Sequence, residues 1–181
     1  MNTEASKEEV LKKITDRALQ ILLQSGNCAQ TSFLVLKEQF DLDDGRILKA
    51  LTPFPGVALR GETCGAVIGS LMALGLVFGR DNIDDMPGYL RSLPPARKFC
   101  RQFEKEQGGT MCGAILEAKL GRRYNLANPI ESAMYLSSGG PEKCAAPKVT
   151  VINPSCRSCW YETGAGHRIA LLTSPSAGTP C

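Results

Sequence analysis

The stretch Gly61-Glu62-Thr63-Cys64-Gly65-Ala66-Val67-Ile68-Gly69-Ser70-Leu71-Met72-Ala73-Leu74-Gly75-Leu76-Val77-Phe78 decides the fold. From Cys64 to Phe78 it carries no charged residue. It falls short of the roughly 20 apolar residues that cross a bilayer, and Gly65, Ser70 and Gly75 interrupt it. It therefore predicts a buried core helix, capped by Thr63, rather than a membrane span. A helix that is apolar all round must be covered by others, which points to an all-α bundle. Glycines at 65 and 69, then at 75 and 79, predict close helix packing, because small residues let backbones approach. A homodimer packed through this helix across a two-fold axis is one expectation.

Upstream, Ser6 and Glu9 form a capping box, and Val10, Leu11, Ile14, Ala18, Ile21 and Leu22 recur at helical spacing. Gly26-Asn27 ends that helix and starts a second, Cys28 to about Phe40, with Ala29, Phe33, Leu36 and Phe40 inward. A short helix is expected over Asp43 to Leu51, with Asp41, Asp43 and Asp44 as its solvated start, and a loop over Gly56 to Gly61. Downstream, residues 80–93 read as a surface connection. Pro94-Pro95 opens a helix to about Gln107, since proline is tolerated in a first turn. Thr110 caps a helix from Met111 to Leu120, ended by Gly121, and Asn128-Pro129 starts another to about Ser137. The expectation is a helical bundle over 1–146 and a short irregular C-terminal tail over 147–181, with strand-like residues at Val149–Ile152.

The chain has 181 residues, a net charge of +3 and 43% hydrophobic residues, which suits one globular domain. No Lys/Arg run reaches the length of a nucleic-acid or membrane patch. Arg122-Arg123 reads as a charge pair at a helix C-terminus. The polar, acidic N-terminus is not a signal peptide, so the expected compartment is the cytoplasm. Eight cysteines in a reducing compartment point to metal or redox chemistry rather than structural disulfides.

Four cysteines, Cys28, Cys64, Cys112 and Cys144, each fall in the first turn of an expected helix, and none has a neighbouring Cys. A helix start carries free N–H groups and a positive partial charge, and both favour thiolate, the form that binds metal or attacks sulfur. Paired C-x-x-C knuckles, the usual structural zinc pattern, are absent among these four. Cys100, between Phe99 and Phe103 on an apolar face, reads as core. Cys156-x-x-Cys159 reads as a second redox pair or half a metal site, which Cys181 and Cys144 could complete, or as an incidental pair. Trp160 stands where a haem-attachment motif needs histidine. The only histidine, His167, lies in the Gly-rich tail and reads as exposed.

Gly26-Asn27-Cys28-Ala29-Gln30, the Cys64-Gly65-Ala66-Val67-Ile68-Gly69 motif, Cys112 and Cys144 resemble the C_GCAxxG_C_C family of redox-active proteins, over roughly residues 8–146. The resemblance implies a small helical domain of mostly anaerobic bacteria and archaea, related to a domain of split-Soret cytochromes in which such cysteines surround an iron–sulfur centre. It implies Cys28, Cys64, Cys112 and Cys144 as ligands of a [2Fe-2S] or [4Fe-4S] cluster, no haem, and electron transfer with a redox partner protein. A thiol–disulfide oxidoreductase and a structural zinc protein are the alternatives. Pro147 departs from the family pattern, since a helix is expected to continue past Cys144.

Overall fold

The computed structural model describes residues 7–42, 46–145, 160–162 and 168–170. Ser6, Asp43, Asp44, Val149–Ile152, Cys156, Cys159, His167 and Cys181 lie outside the described residues. The elements follow in order: α1 (Lys7–Ser25), α2 (Cys28–Phe40), α3 (Ile47–Ala50), α4 (Gly56–Leu59), α5 (Gly65–Phe78), α6 (Met86–Gln107), α7 (Cys112–Leu120), α8 (Pro129–Ser137) and α9 (Gly140–Ala145). In the tail, β1 (Trp160–Glu162) and β2 (Arg168–Ala170) pair as an antiparallel hairpin, Tyr161 opposite Ile169. The strands themselves carry the β-prone residues Trp160, Tyr161 and Ile169. The fold is all-α, and no described helix is long and apolar enough to cross a membrane.

The core forms where α5 lies against α2. Ala29, Phe33 and Leu36 of α2 meet Ala66, Val67 and Ala73 of α5, and Leu51, Phe99, Phe103 and Ile115 close around them. Phe33 and Leu51 are fully buried; burying side chains of this size is worth about 1.5–3 kcal/mol each. Gly65 and Gly69 set the spacing. A Cβ on Gly65 would stand 2.5 Å from the Cys28 sulfur and 2.9 Å from the Ala29 nitrogen, and one on Gly69 would overlap the Ala29 carbonyl. The expected close packing is therefore present at these two glycines, and it joins two helices of the same chain. Gly75 has nothing within 4 Å of its would-be Cβ.

On the other side of α2, Val35 packs against Ile14, Ala18 and Ile21 of α1. Arg17 and Glu38 link the two helices outside, with Nε donating to Oε2 at 2.9 Å and NH2 to Oε1 at 2.6 Å. The α1–α2 corner turns on Gly26, whose φ is +62°. Asn27 then caps α2: its Oδ1 accepts from the N–H of Ala29 (3.1 Å) and Gln30 (3.0 Å), while its Nδ2 donates to the Thr52 carbonyl at 3.0 Å. Asn27 is 7% exposed. An Asn27→Ala variant loses the cap and the bond to the Thr52 carbonyl, and should lose about 1–2 kcal/mol in urea unfolding. An unchanged midpoint would mean that Thr52 and the helix start find other partners.

Several expected boundaries move. The helix expected from Pro94 begins at Met86, eight residues earlier in number, because Asp85 caps it through a 2.8 Å bond from the Gly88 N–H and Pro87 occupies the first turn. Pro94 and Pro95 lie inside α6 and offer no N–H to the carbonyls of Leu90 and Arg91. Asp41 is not at a helix start; it ends α2 with φ +49°. The expected loop at 56–61 contains α4, a single turn that is left-handed at Val57 and Ala58. Leu59 also has positive φ, +62°. Non-glycine residues in this region cost about 1–2 kcal/mol each. Bonds from Leu59 N–H to Pro55 O (2.7 Å) and from both Arg60 and Glu62 N–H to Gly56 O (3.1 Å each) hold the turn.

Candidate functional site

Thr63 and Thr110, expected as helix caps, serve another purpose. The segments that carry them pair as a short antiparallel bridge, Thr63 opposite Met111. Cys64 N–H donates to Thr110 O at 2.7 Å, Cys112 N–H to Glu62 O at 2.7 Å, and Gly113 N–H to Gly61 O at 2.9 Å. Two helices thus start side by side. Cys64 is the N-cap of α5 and Cys112 is the first residue of α7. Cys28 opens α2, directly against Gly65 at the start of α5. Backbone hydrogen bonds between loops bring Cys64 and Cys112 together, and the close packing of α2 on α5 at Gly65 brings Cys28 to them.

Cys144 differs. It is the fifth residue of the six in α9 and lies in that helix's last turn, not its first. The sequence reading expects a helix start after Pro141; α9 begins instead at Gly140. The last turn reaches the site because α9 packs on α1, α7 and α8. Lys119 Nζ donates to Lys143 O and Lys143 Nζ to Lys119 O, both at 3.0 Å, which pins the end of α7 to α9.

Cys28, Cys64, Cys112 and Cys144 all line one cavity of about 90 Å³. At 10–15 Å³ of such volume per water, that is room for roughly six to nine small atoms or waters. Gly56, Gly61, Ala66, Leu116 and Pro141 form much of the remaining wall, and Gln107, Tyr124 and Tyr135 are its polar members besides the thiols. No lining residue is acidic or cationic. Gly56, with φ +50°, has its would-be Cβ 3.4 Å from the Cys112 sulfur, so the left-handed turn lies flush against that thiol. The strain at Val57, Ala58 and Leu59 therefore borders the cysteine cavity, where such strain commonly collects.

The five described cysteines of the helical region are half-buried thiols. Cys64 keeps some accessible surface because it faces the cavity, yet protein surrounds it. Its hydrogen bond with Cys28 raises its pKa well above the ordinary thiol range; burial and the neighbouring Cys28 and Cys112 add to this. Burial pushes the Lys119 ammonium down, while Cys144 and Cys64 pull it back up, so its charge is felt at the site. Cys100 stands apart on α6, packed against the core, with its pKa raised by burial. That agrees with its reading as a core residue. Arg122 and Arg123 follow α7 and pair with Glu131 (3.1 Å) and Glu117 (2.8 Å), as a charge pair at a helix end.

Tyr135 was not singled out from sequence. Its hydroxyl hydrogen-bonds Cys144, and burial first, then Cys144, push its pKa far up. The one local signal was Gly139-Gly140: a Cβ on Gly140 would overlap the Tyr135 ring. Among the described residues, no three His, Cys, Asp or Glu side chains are gathered so as to hold a single metal ion. The four thiols surround a space instead. Their donor set, soft sulfur in an apolar enclosure, fits an iron–sulfur cluster chemically.

No curated protein and no solved structure matches the chain. A family model described as "Putative redox-active protein (C_GCAxxG_C_C)" matches residues 26–157, a span that contains all four cavity cysteines and the elements that present them. The chain belongs to the C_GCAxxG_C_C family of redox-active proteins.

Proposed function

We propose that this protein is an iron–sulfur electron carrier that exchanges electrons with a partner protein, with Cys28, Cys64, Cys112 and Cys144 as the cluster ligands. One observation carries the reading: four thiols from four separate elements line the same enclosed, apolar cavity. A single tetrahedral zinc needs all four sulfurs about 2.3 Å from one point. A cavity with room for several atoms favours a multi-atom group. A cluster bound there would supply one-electron chemistry at low dielectric. The chain's own contribution is to hold four thiolates in place, exclude water with Leu116, Ala66 and Phe103, and set Cys28, Cys64 and Cys112 at the positive ends of α2, α5 and α7. Lys119 adds a positive charge nearby. Such thiols suit a reducing compartment.

A thiol–disulfide oxidoreductase is the second reading, favoured by the hydrogen bond between Cys28 and Cys64. The two further thiols on the same wall, Cys112 and Cys144, weigh against it, because dithiol exchange uses only a pair.

Protein purified without oxygen should contain iron and acid-labile sulfide in comparable amounts and absorb in the visible range. Zinc without sulfide would support a structural site. Metal-free protein that stays colourless after anaerobic reconstitution, and that forms a Cys28–Cys64 disulfide on oxidation, would support the thiol reading and sink the cluster.

A further inference from the structure

We infer that Tyr135 is a positioning residue of this site, whose hydroxyl donates a hydrogen bond to the sulfur of Cys144, the one cavity cysteine that does not stand at a helix start. This rests on reading the four cysteines as ligands, and it concerns the one member that breaks the pattern. Cys28 and Cys112 open their helices, and Cys64 stands at the N-cap of a third. Cys144 sits in the last turn of α9, where the backbone presents carbonyls rather than free N–H groups. A thiolate there is left without the electrostatic support of a helix start.

The fold places Tyr135 as if for that gap. Asn128 caps α8 through bonds from the N–H of Ile130 (2.9 Å) and Glu131 (3.2 Å), which fixes the phase of the helix that carries Tyr135. Tyr124 meets the Tyr135 ring edge-on, centroids 6.0 Å apart at 69°. Gly140, at the start of Cys144's own helix, leaves the space the ring occupies; any side chain there would overlap it. The ring is thus wedged between α9 and residue 124, and its hydroxyl lies at the cavity wall, bonded to Cys144. A phenol keeps its proton at neutral pH, so against a thiolate it acts as the donor. A donor to a cluster sulfur draws off electron density and favours the more negative, reduced state, which raises the potential.

Tyr135→Phe keeps the ring and removes the donor. The variant should load iron and sulfide as the parent does, and its potential should shift negative. In metal-free, reduced protein at neutral pH, iodoacetamide should alkylate Cys144 roughly twofold to tenfold more slowly than in the parent, with Cys28 unchanged, as expected for one lost hydrogen bond. Gly140→Ala, which displaces the ring without deleting the hydroxyl, should shift both readouts in the same direction. An unchanged potential together with an unchanged Cys144 alkylation rate in Tyr135→Phe would overturn the assignment. So would reduced iron content with the parent potential in the loaded fraction, since that is the mark of a merely structural residue. If the parent holds no iron or sulfide, the cluster reading fails on that ground, and the alkylation rates still decide whether Tyr135 acts on Cys144.

Discussion

Gly69→Ala should destabilise the protein by about 3 kcal/mol or more, and Gly75→Ala, on the same helix, should stabilise it. The added methyl at 69 would overlap the Ala29 carbonyl, a backbone atom that has no rotamer by which to move aside. Overpacking typically costs about 1–3 kcal/mol, and a backbone clash belongs at the upper end. For a chain of this size that is a fall in Tm of roughly 6–12 °C. At Gly75 nothing lies within 4 Å, and the residue is exposed at the start of the last turn of α5. Alanine there should add about 0.5–1 kcal/mol by relieving the entropy cost of glycine. Thermal and urea unfolding of both variants gives the comparison. Equal effects of the two substitutions would show that α2 and α5 do not approach as described. Because Gly65 and Gly69 also set how near Cys28 lies to Cys64, a folded fraction of Gly69→Ala should bind iron poorly as well.

Removal of single thiols should divide the cysteines into two groups. Cys28→Ala, Cys64→Ala, Cys112→Ala and Cys144→Ala should each reduce iron and sulfide to near zero after anaerobic reconstitution, because an open position in the cavity exposes the group to exchange. Cys100→Ala should load fully and cost about 1 kcal/mol or less, since Cys100 only packs on the core. The measurement is iron and sulfide per chain, with circular dichroism as the check on folding. Full loading of Cys144→Ala would remove that residue from the ligand set and with it the role inferred for Tyr135. Loss of loading in Cys100→Ala with the helix content intact would refute the separation of Cys100 from the site.

The helices were legible where punctuation was chemical. Asn27 and Asn128 are good N-caps, and Gly121 and Gly108 end α7 and α6 with φ near +80°. The apolar periodicity named Ile14, Ala18, Ile21, Phe33 and Leu36 as core, and all are buried. The start of α6 was misplaced because proline in a first turn and proline within a helix look alike in sequence; Asp85, which decides the matter, stands in a polar run. Thr63 and Thr110 have the right chemistry for caps, but their backbones are taken up by the bridge, a pairing of residues far apart in sequence that no local pattern encodes. Cys28, Cys64 and Cys112 were legible at helix starts, while the convergence of the four was legible only through the family resemblance. Tyr135 depends on the packing of α8 against α9, and that contact leaves no periodic trace.

Each cavity cysteine comes from a different element, the first from α2 and the last from α9. This has a consequence for biogenesis. A chain with paired ligand knuckles can capture metal from a short, nearly unstructured segment. This chain has no such local trap among the four: the cavity has a complete wall only after Ala145 has been made and α9 has docked on α1, α7 and α8. Domains acquire structure in step with synthesis at about 5–20 residues per second, so a newly made chain passes through a period in which three thiols are assembled and the fourth is absent. During that period the nascent site is open on the side that α9 will close. For the proposed cluster, loading would then be a late event, completed when α9 closes the cavity.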